Sequence, residues 1–127
     1  MGSRLKTGET GEEAARLFCI EHEYTIRERN YRKPYGEVDI VAEKDGILHF
    51  IEVKTSKYYP ETAFAPEIRV NARKIRKLKQ ICETYLREMR VSQDRHWQID
   101  VISVILNQDN TLKSIELFEN AVFELRY

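Results

Sequence analysis

Long apolar runs, Cys-x-x-Cys pairs and low-complexity stretches are all absent from this sequence of 127 residues. No apolar run is long enough to cross a bilayer, so insertion into a membrane is not expected. Residues 1–13 contain no apolar stretch of the kind that directs secretion, which predicts a cytoplasmic location. Cys19 and Cys82 lack metal-ligand spacing and lie in helix-like apolar patterns, which predicts buried, reduced thiols.

Net charge is also missing, because 21 basic side chains balance 21 acidic ones. Such a chain is not a general polycation that coats nucleic acid. The charges are nevertheless unevenly spread, since residues 69–90 carry eight basic side chains against Glu83 and Glu88. With 42% hydrophobic and 33% charged residues, residues 1–127 are expected to form a single globular domain with one basic face.

Apolar periodicity and turn residues predict seven elements. Thr10-Gly-Glu-Glu13 has the form of a helix-capping box and is predicted to start a first helix that ends near Glu23. From Ile75 to Met89, apolar residues recur every three or four positions, which predicts a second helix capped by Asn71. Strands are predicted at 24–32, 37–42, 47–54, 97–106 and 112–118, the first of them at a sheet edge. The order α-β-β-β-α-β-β indicates an α/β domain with a mixed central sheet flanked by helices.

A charged residue interrupts each of two apolar strands, Asp39 in the second and Glu52 in the third. The pair Asp45-Gly46 predicts a two-residue hairpin turn that places these acids directly opposite each other. Two like charges opposed at roughly 5 Å destabilise a sheet, so something positive is expected between them. Such carboxylates suit Mg²⁺, which can polarise a phosphodiester and activate a bound water. Lys54, on the same strand face as Glu52, can orient that water or offset charge on the phosphate.

A plainer interpretation stays open from spacing alone. Glu52 and Lys54 would then form ordinary surface ion pairs on a half-exposed strand, with Glu37 opposite Lys54 in the same register. A β-bulge would also shift the register on which the opposed carboxylates depend.

The segments Gly36-Glu-Val-Asp-Ile-Val-Ala42 and Phe50-Ile-Glu-Val-Lys54 resemble the core of the PD-(D/E)XK nuclease superfamily. In detail the chain resembles the YraN-like family of bacterial proteins, which is similar to archaeal Holliday junction resolvases. The resemblance implies a restriction-endonuclease-like core, with Mg²⁺ or Mn²⁺ held by Asp39 and Glu52. It further implies that Lys54 is the catalytic lysine and that Glu12 reaches the site from the first helix. Glu23 departs from the family, which tends to have glycine there.

The function that this resemblance implies is a metal-dependent endonuclease acting on DNA phosphodiesters, including branched or junction DNA. The alternatives are a non-catalytic nucleic-acid-binding module and an interaction subunit that retain the fold. The choices of DNA or RNA, and of homodimer or monomer, stay open. Proteins place most nucleic-acid contacts on the phosphate backbone, and the candidates for those contacts are Arg29, Arg32, Arg69, Arg73, Lys74, Arg76 and Lys77.

Overall fold

A computed structural model describes the chain over residues 2–60 and 72–121, with side chains from Thr7 to Pro60 and from Arg73 to Ala121. The elements are α1 Gly2–Glu21, β1 Thr25–Lys33, β2 Gly36–Lys44, β3 Ile47–Lys57, α2 Ala72–Glu88, β4 Trp97–Leu106 and β5 Leu112–Phe118. The predicted order of elements and the α/β class are confirmed. The proposed cap Asn71 and the basic residue Arg69 lie outside the described residues.

The five strands form one mixed sheet in the order β1-β2-β3-β4-β5. Strands β3 and β4 are parallel, with α2 in the connection between them, and the other neighbours are antiparallel. The predicted edge position of β1 is confirmed. The hairpin between β2 and β3 turns at Asp45 and Gly46, whose φ angles of 51° and 79° fit the turn that the Asp-Gly pair predicts.

The helices cover opposite faces of the sheet and bury a separate apolar cluster on each. On one face, α2 places Ile81 in a cluster with Phe50 of β3. On the other face, α1 places Cys19 in a cluster with Ile51, the next residue of β3. Cys19 and Cys82 are both buried and free, as predicted. Among the described residues, neither helix combines the length and apolar character needed to cross a membrane.

The start of α1 differs from the prediction. Helix α1 begins at Gly2, so Thr10 lies inside it and the predicted capping box is wrong. A capping residue must leave the helical conformation, whereas Thr10 is helical and the residues before it continue the helix. The Thr7 hydroxyl donates a hydrogen bond to Asn110 Oδ1 in the turn between β4 and β5, at 3.3 Å. One turn later, Gly11 packs directly against Thr55 of β3.

Glu23 closes the end of α1 in a left-handed backbone conformation. The helix ends at Glu21, and Glu23 follows with a φ of 66°. The Tyr24 amide then donates to the Cys19 carbonyl at 2.9 Å, as in helix ends that close through a left-handed residue. Glycine adopts this conformation without the strain that a side chain adds, which fits the glycine that the resemblance leads one to expect at position 23.

Candidate metal and nucleic-acid site

The candidate site lies where β2 separates from β3. The ladder between these strands runs from Lys44 paired with Ile47 to Ile40 paired with Ile51, which is the predicted register. Asp39 and Glu52 are the next residues on their strands beyond the last pair. The two acids therefore stand at the open end of the hairpin, where the backbones no longer pair and space for a ligand begins.

Strand β2 also changes face at Asp39. Val38 packs in the cluster under α2, whereas Ile40 packs in the cluster under α1. An uninterrupted strand would put residues two positions apart on the same face. Across the β1–β2 ladder, Asn30 at the same level has a φ of 52°, so both strands are irregular here. The Asp39 carboxylate reaches over to β3, where its Oδ2 accepts a hydrogen bond from the Val53 amide at 2.7 Å.

A cleft of about 480 Å³ opens at this point, between α1, the β2–β3 strands and the first half of α2. Its charged lining consists of Glu12, Glu37, Asp39, Glu52, Lys74 and Lys77. The structure thus brings Glu12 of α1 to the same cleft as Asp39 and Glu52. Lys54 lies two residues beyond Glu52 on β3 and is half-buried, but it is not among the residues that line the cleft.

Asp39 is held in a surrounding that disfavours its charge. Burial raises the pKa of this carboxyl to about 6, against the opposing effect of the Val53 N–H donor. The negative charges of Glu12, Glu37 and Glu52 raise the pKa further. A cation in the cleft would reverse this balance, because an opposite charge nearby favours the ionised carboxylate.

Glu52 is the most informative side chain of the site. Its Oε1 forms an ion pair with Lys74 Nζ of α2 at 2.9 Å, and its side chain is only 15% exposed. Its Oε2 is buried and has no hydrogen-bond partner among the described residues. Native proteins rarely leave a buried polar atom unpaired, so such an atom calls for a specific explanation such as an ion. Carboxylate oxygens are the ligands that Mg²⁺ and Mn²⁺ prefer, and Asp39 with Glu52 therefore fits a divalent ion.

The contacts match only part of the plainer ion-pair interpretation. Glu37 pairs with Arg32 across the β1–β2 hairpin, with Nε and Oε2 2.8 Å apart. The β2–β3 ladder has already ended at Ile40, so the register no longer sets Glu37 opposite Lys54. Glu52 in turn pairs with Lys74 rather than with a neighbour on its own strand.

Comparison with known proteins identifies the family. The sequence model of the Uncharacterised protein family UPF0102 matches residues 11–104. The chain belongs to this family. A UPF0102 protein of Nitratiruptor sp. is 39% identical over 109 residues, which cover 86% of this chain and 88% of the relative. A UPF0102 protein of Moorella thermoacetica is 34% identical over 119 residues, which cover 94% of this chain and 97% of the relative. The expected uncharacterised bacterial family is thereby confirmed.

The basic residues of this UPF0102 protein fall into separate groups. Arg73, Arg76 and Lys77 are exposed on α2, on the side away from its buried apolar stripe. Arg32 is exposed but engaged with Glu37. Arg29 lies near α1, where the pKa of Glu13 is lowered mainly by its hydrogen bond with Arg16 and to a smaller extent by the charge of Arg29. The structure therefore gathers the expected phosphate-binding residues chiefly on α2.

A second polar cluster, which the sequence did not single out, lies at the other end of β3. His49 Nδ1 and Asp100 Oδ2 are 2.6 Å apart, and both side chains are buried. Asp100 Oδ1 accepts a hydrogen bond from Gln98 Nε2 at 2.8 Å and another from the backbone N–H of Asn120 at 2.9 Å. Glu119 is close enough to share a metal ion with this pair, yet the chain's own donors already engage both Asp100 oxygens. The cluster fastens the turn after β5 to β4.

The raised pKa of Asp39 predicts a pH-dependent gain in stability for Asp39→Asn. The folded pKa of about 6 lies above the ordinary value of 3.8, so ionised Asp39 destabilises the metal-free fold. This penalty is absent below pH 4, grows as pH rises and is complete above pH 6. We expect Asp39→Asn to raise the free energy of unfolding by about 1–2 kcal/mol at pH 8, after allowance for partial solvation, and to change it little at pH 4.

Urea unfolding in EDTA at the two pH values would measure this difference. Asp94→Asn is the matched control, because Asp94 is exposed in the loop after α2 and its substitution should change stability little at either pH. Equal or lower stability of Asp39→Asn at pH 8 would contradict the prediction.

Proposed function

We propose that this UPF0102 protein is a metal-dependent endonuclease of the PD-(D/E)XK type that hydrolyses DNA phosphodiesters, with branched or junction DNA as the favoured substrate. The observation that carries the proposal is the buried, unpartnered Oε2 of Glu52 beside the charge-disfavoured carboxyl of Asp39. Two acids in this state at the mouth of a cleft are costly for stability alone. Their arrangement is consistent with selection for binding a cation.

The cleft residues divide the chemistry between them. Asp39 and Glu52 would hold the divalent ion, and Glu12 of α1 would add negative charge to the same cleft. A bound Mg²⁺ or Mn²⁺ supplies a Lewis acid for the phosphodiester and a water of lowered pKa. Lys54 donates to the phosphate or to the attacking water from its place beside the cleft on β3, where its charge offsets the charge that develops in the transition state.

The architecture supports the superfamily assignment within this proposal. The acids lie on an antiparallel hairpin, whose second strand pairs in parallel with β4 after the crossover through α2. The resemblance in Gly36–Ala42 and Phe50–Lys54 falls on this same hairpin. These observations favour a restriction-endonuclease-like core over an unrelated α/β fold that carries two acids by coincidence.

A nucleic-acid substrate is supported by the side chains around the cleft. Lys74 and Lys77 line it, and Arg73 and Arg76 continue the basic surface along α2. A phosphate backbone lying along the cleft side of α2 would meet positive side chains next to the acidic site. The preference for branched DNA comes from the resemblance to junction resolvases.

One observation favours a second candidate, the non-catalytic nucleic-acid-binding module. Lys54 does not line the cleft. If the lysine stays outside when metal and DNA are bound, the acids and the basic helix form a binding site without its catalytic group.

The deciding experiment incubates the protein with labelled linear, flapped and four-way DNAs in Mg²⁺, in Mn²⁺ and in EDTA. The proposal expects metal-dependent cleavage that is strongest on a branched substrate and is lost in Glu52→Gln. DNA binding without cleavage in either metal would favour the non-catalytic module. The same cleavage rate in Glu52→Gln would show that the activity comes from a contaminant or from another site.

Divalent metal is expected to stabilise the fold, because only the folded chain assembles the two ligands. At ten times its Kd, Mn²⁺ should add about 1.4 kcal/mol to the free energy of unfolding. Asp39→Asn and Glu52→Gln should each abolish this increase. Differential scanning calorimetry with and without Mn²⁺ measures it, with Glu83→Gln on the exposed side of α2 as the control that keeps the increase. A wild-type protein that millimolar Mn²⁺ does not stabilise would contradict the metal site.

The basic face of α2 is expected to dominate DNA affinity. Each phosphate that a side chain neutralises releases counterions and steepens the dependence of affinity on salt. Arg73→Ala combined with Lys77→Ala should therefore flatten the slope of log affinity against log salt by roughly two units. Fluorescence anisotropy over a salt series measures the slope. Lys44→Ala, at the turn end of the β2–β3 hairpin, is the control that removes a positive charge away from α2 and should leave the slope nearly unchanged. An unchanged slope in the double variant would place the nucleic acid elsewhere.

A further inference from the structure

Lys74 lies between the proposed metal ligands and the basic surface of α2. It is the third residue of α2, and its Nζ contacts Glu52 Oε1 on β3 at 2.9 Å. The two partners differ in exposure, since the lysine side chain is 49% exposed and the glutamate 15%. The same lysine lines the cleft, next to Lys77 one helical turn further on. Lys74 thus contacts a proposed metal ligand, Glu52, and also borders the surface where a phosphate would lie.

A lysine ammonium and a divalent ion compete for the same carboxylate. The ammonium occupies Oε1 while Oε2 stays buried without a partner, so Lys74 satisfies only part of the Glu52 carboxylate. A divalent ion on Asp39 and Glu52 brings twice the charge to this point and repels a neighbouring ammonium. The lysine side chain is half-exposed and can turn toward solvent, whereas the Glu52 side chain is largely buried.

We propose that Lys74 is an internal counterion that metal binding releases to the substrate. Without the divalent ion it neutralises Glu52, and with the ion bound it turns away from Glu52 and contacts a phosphate of the nucleic acid. This inference rests on the proposed function, because it takes Asp39 and Glu52 as the metal ligands. The exchange of partners by Lys74 would raise the affinity of the protein for nucleic acid when the metal is bound.

Because of this exchange, the metal and the nucleic acid should each raise the binding affinity of the other. If the metal frees Lys74 for the phosphate, then nucleic acid that holds Lys74 also removes the competitor for Glu52. A lysine that only fastens α2 to β3 would give no such coupling. Its removal would lower stability and would leave the affinity of one ligand independent of the other.

The first test measures Mn²⁺ affinity by isothermal titration calorimetry, without nucleic acid, in the full chain. Lys74→Met keeps the apolar stem and removes the charge. We expect it to bind Mn²⁺ about three- to fivefold more tightly than the wild type, which is the range that a half-exposed ion pair can contribute. Lys77→Met is the matched control, because it removes the same charge from the same cleft without a contact to Glu52. It should change Mn²⁺ affinity by much less.

The second test measures the affinity for four-way DNA in EDTA and in Ca²⁺, which is also an oxygen-preferring cation. In the wild type, Ca²⁺ should strengthen binding both by its own charge and by releasing Lys74. Lys74→Met should lose about three- to fivefold of that increase, because it has no ammonium for Ca²⁺ to release to the phosphate. Lys77→Met should weaken binding equally in both buffers and keep the increase.

The outcomes separate this inference from the proposed function. Unchanged Mn²⁺ affinity in Lys74→Met, or a full Ca²⁺ increase in that variant, would overturn the exchange while leaving the metal site in place. The absence of Mn²⁺ binding in every variant would overturn both proposals. Coupling that follows Lys74 without any cleavage would support the exchange and refute the nuclease activity. Circular dichroism verifies the fold, and Lys74→Gln repeats both tests if Lys74→Met unfolds.

Discussion

Lys54→Ala is expected to lower the rate of DNA cleavage by roughly 100- to 1,000-fold, the usual cost of removing one donor that stabilises transition-state charge. DNA affinity should change by less than about threefold, because a contact made mainly in the transition state affects the rate more than ground-state binding. Single-turnover cleavage assays and anisotropy titrations on the same DNA measure the two quantities.

The Lys54→Ala result tests both the proposed catalytic role of Lys54 and the ability of its side chain to reach the cleft. Lys54 follows Glu52 on the same face of β3 but does not line the cleft. A catalytic role therefore requires its flexible side chain to reach the cleft when substrate is bound. Lys57→Ala is the matched control on the same strand, since Lys57 Nζ donates to the Gln108 carbonyl at 3.1 Å, outside the cleft. Undiminished cleavage in Lys54→Ala would remove this lysine from the mechanism, and an equal loss of binding would assign it to the phosphate grip.

Gly11→Ala is expected to destabilise the fold by about 2–3 kcal/mol, the cost of overpacking a tight contact. A Cβ on Gly11 would lie 1.9 Å from Thr55 Oγ1 and 2.8 Å from Thr55 Cβ. Rotation of the Thr55 side chain cannot relieve the contact with its Cβ, so α1 must move away from β3. The neighbouring Glu12 would move with the helix, and we expect weaker Mn²⁺ binding as well as a lower free energy of unfolding.

Gly8 provides the control within the same helix. A Cβ on Gly8 would have nothing within 4 Å, so Gly8→Ala should stabilise the protein by about 0.5–1 kcal/mol through helix propensity alone. Thr55→Ala in the Gly11→Ala background removes the closest atom and should recover part of the loss. Equal urea midpoints for the two glycine variants would show that the contact between α1 and β3 is not tight in solution.

The parts of the fold that were predicted correctly have local causes. The Asp45-Gly46 turn fixes the register of the β2–β3 hairpin through its own backbone geometry, and this register set Asp39 and Glu52 at the same level before any tertiary information. The apolar stripe of α2 fixes which of its faces is buried, and therefore that Arg73 and Arg76 are exposed. The resemblance in the hairpin strands added the expected chemistry.

The parts that were not predicted depend on contacts between residues distant in the chain. The predicted start of α1 was wrong, and local capping rules do not include contacts such as the one between Thr7 and Asn110 of the β4–β5 turn. The pairing of Lys74 with Glu52 and the pKa of Asp39 depend on how α2 and α1 close over the end of the hairpin. The sequence by itself determined which acids share a level, because hairpin geometry is local. Only the tertiary structure decided which of their oxygens lacks a partner and which lysine neutralises them, because burial and ion pairing arise when separate elements pack together.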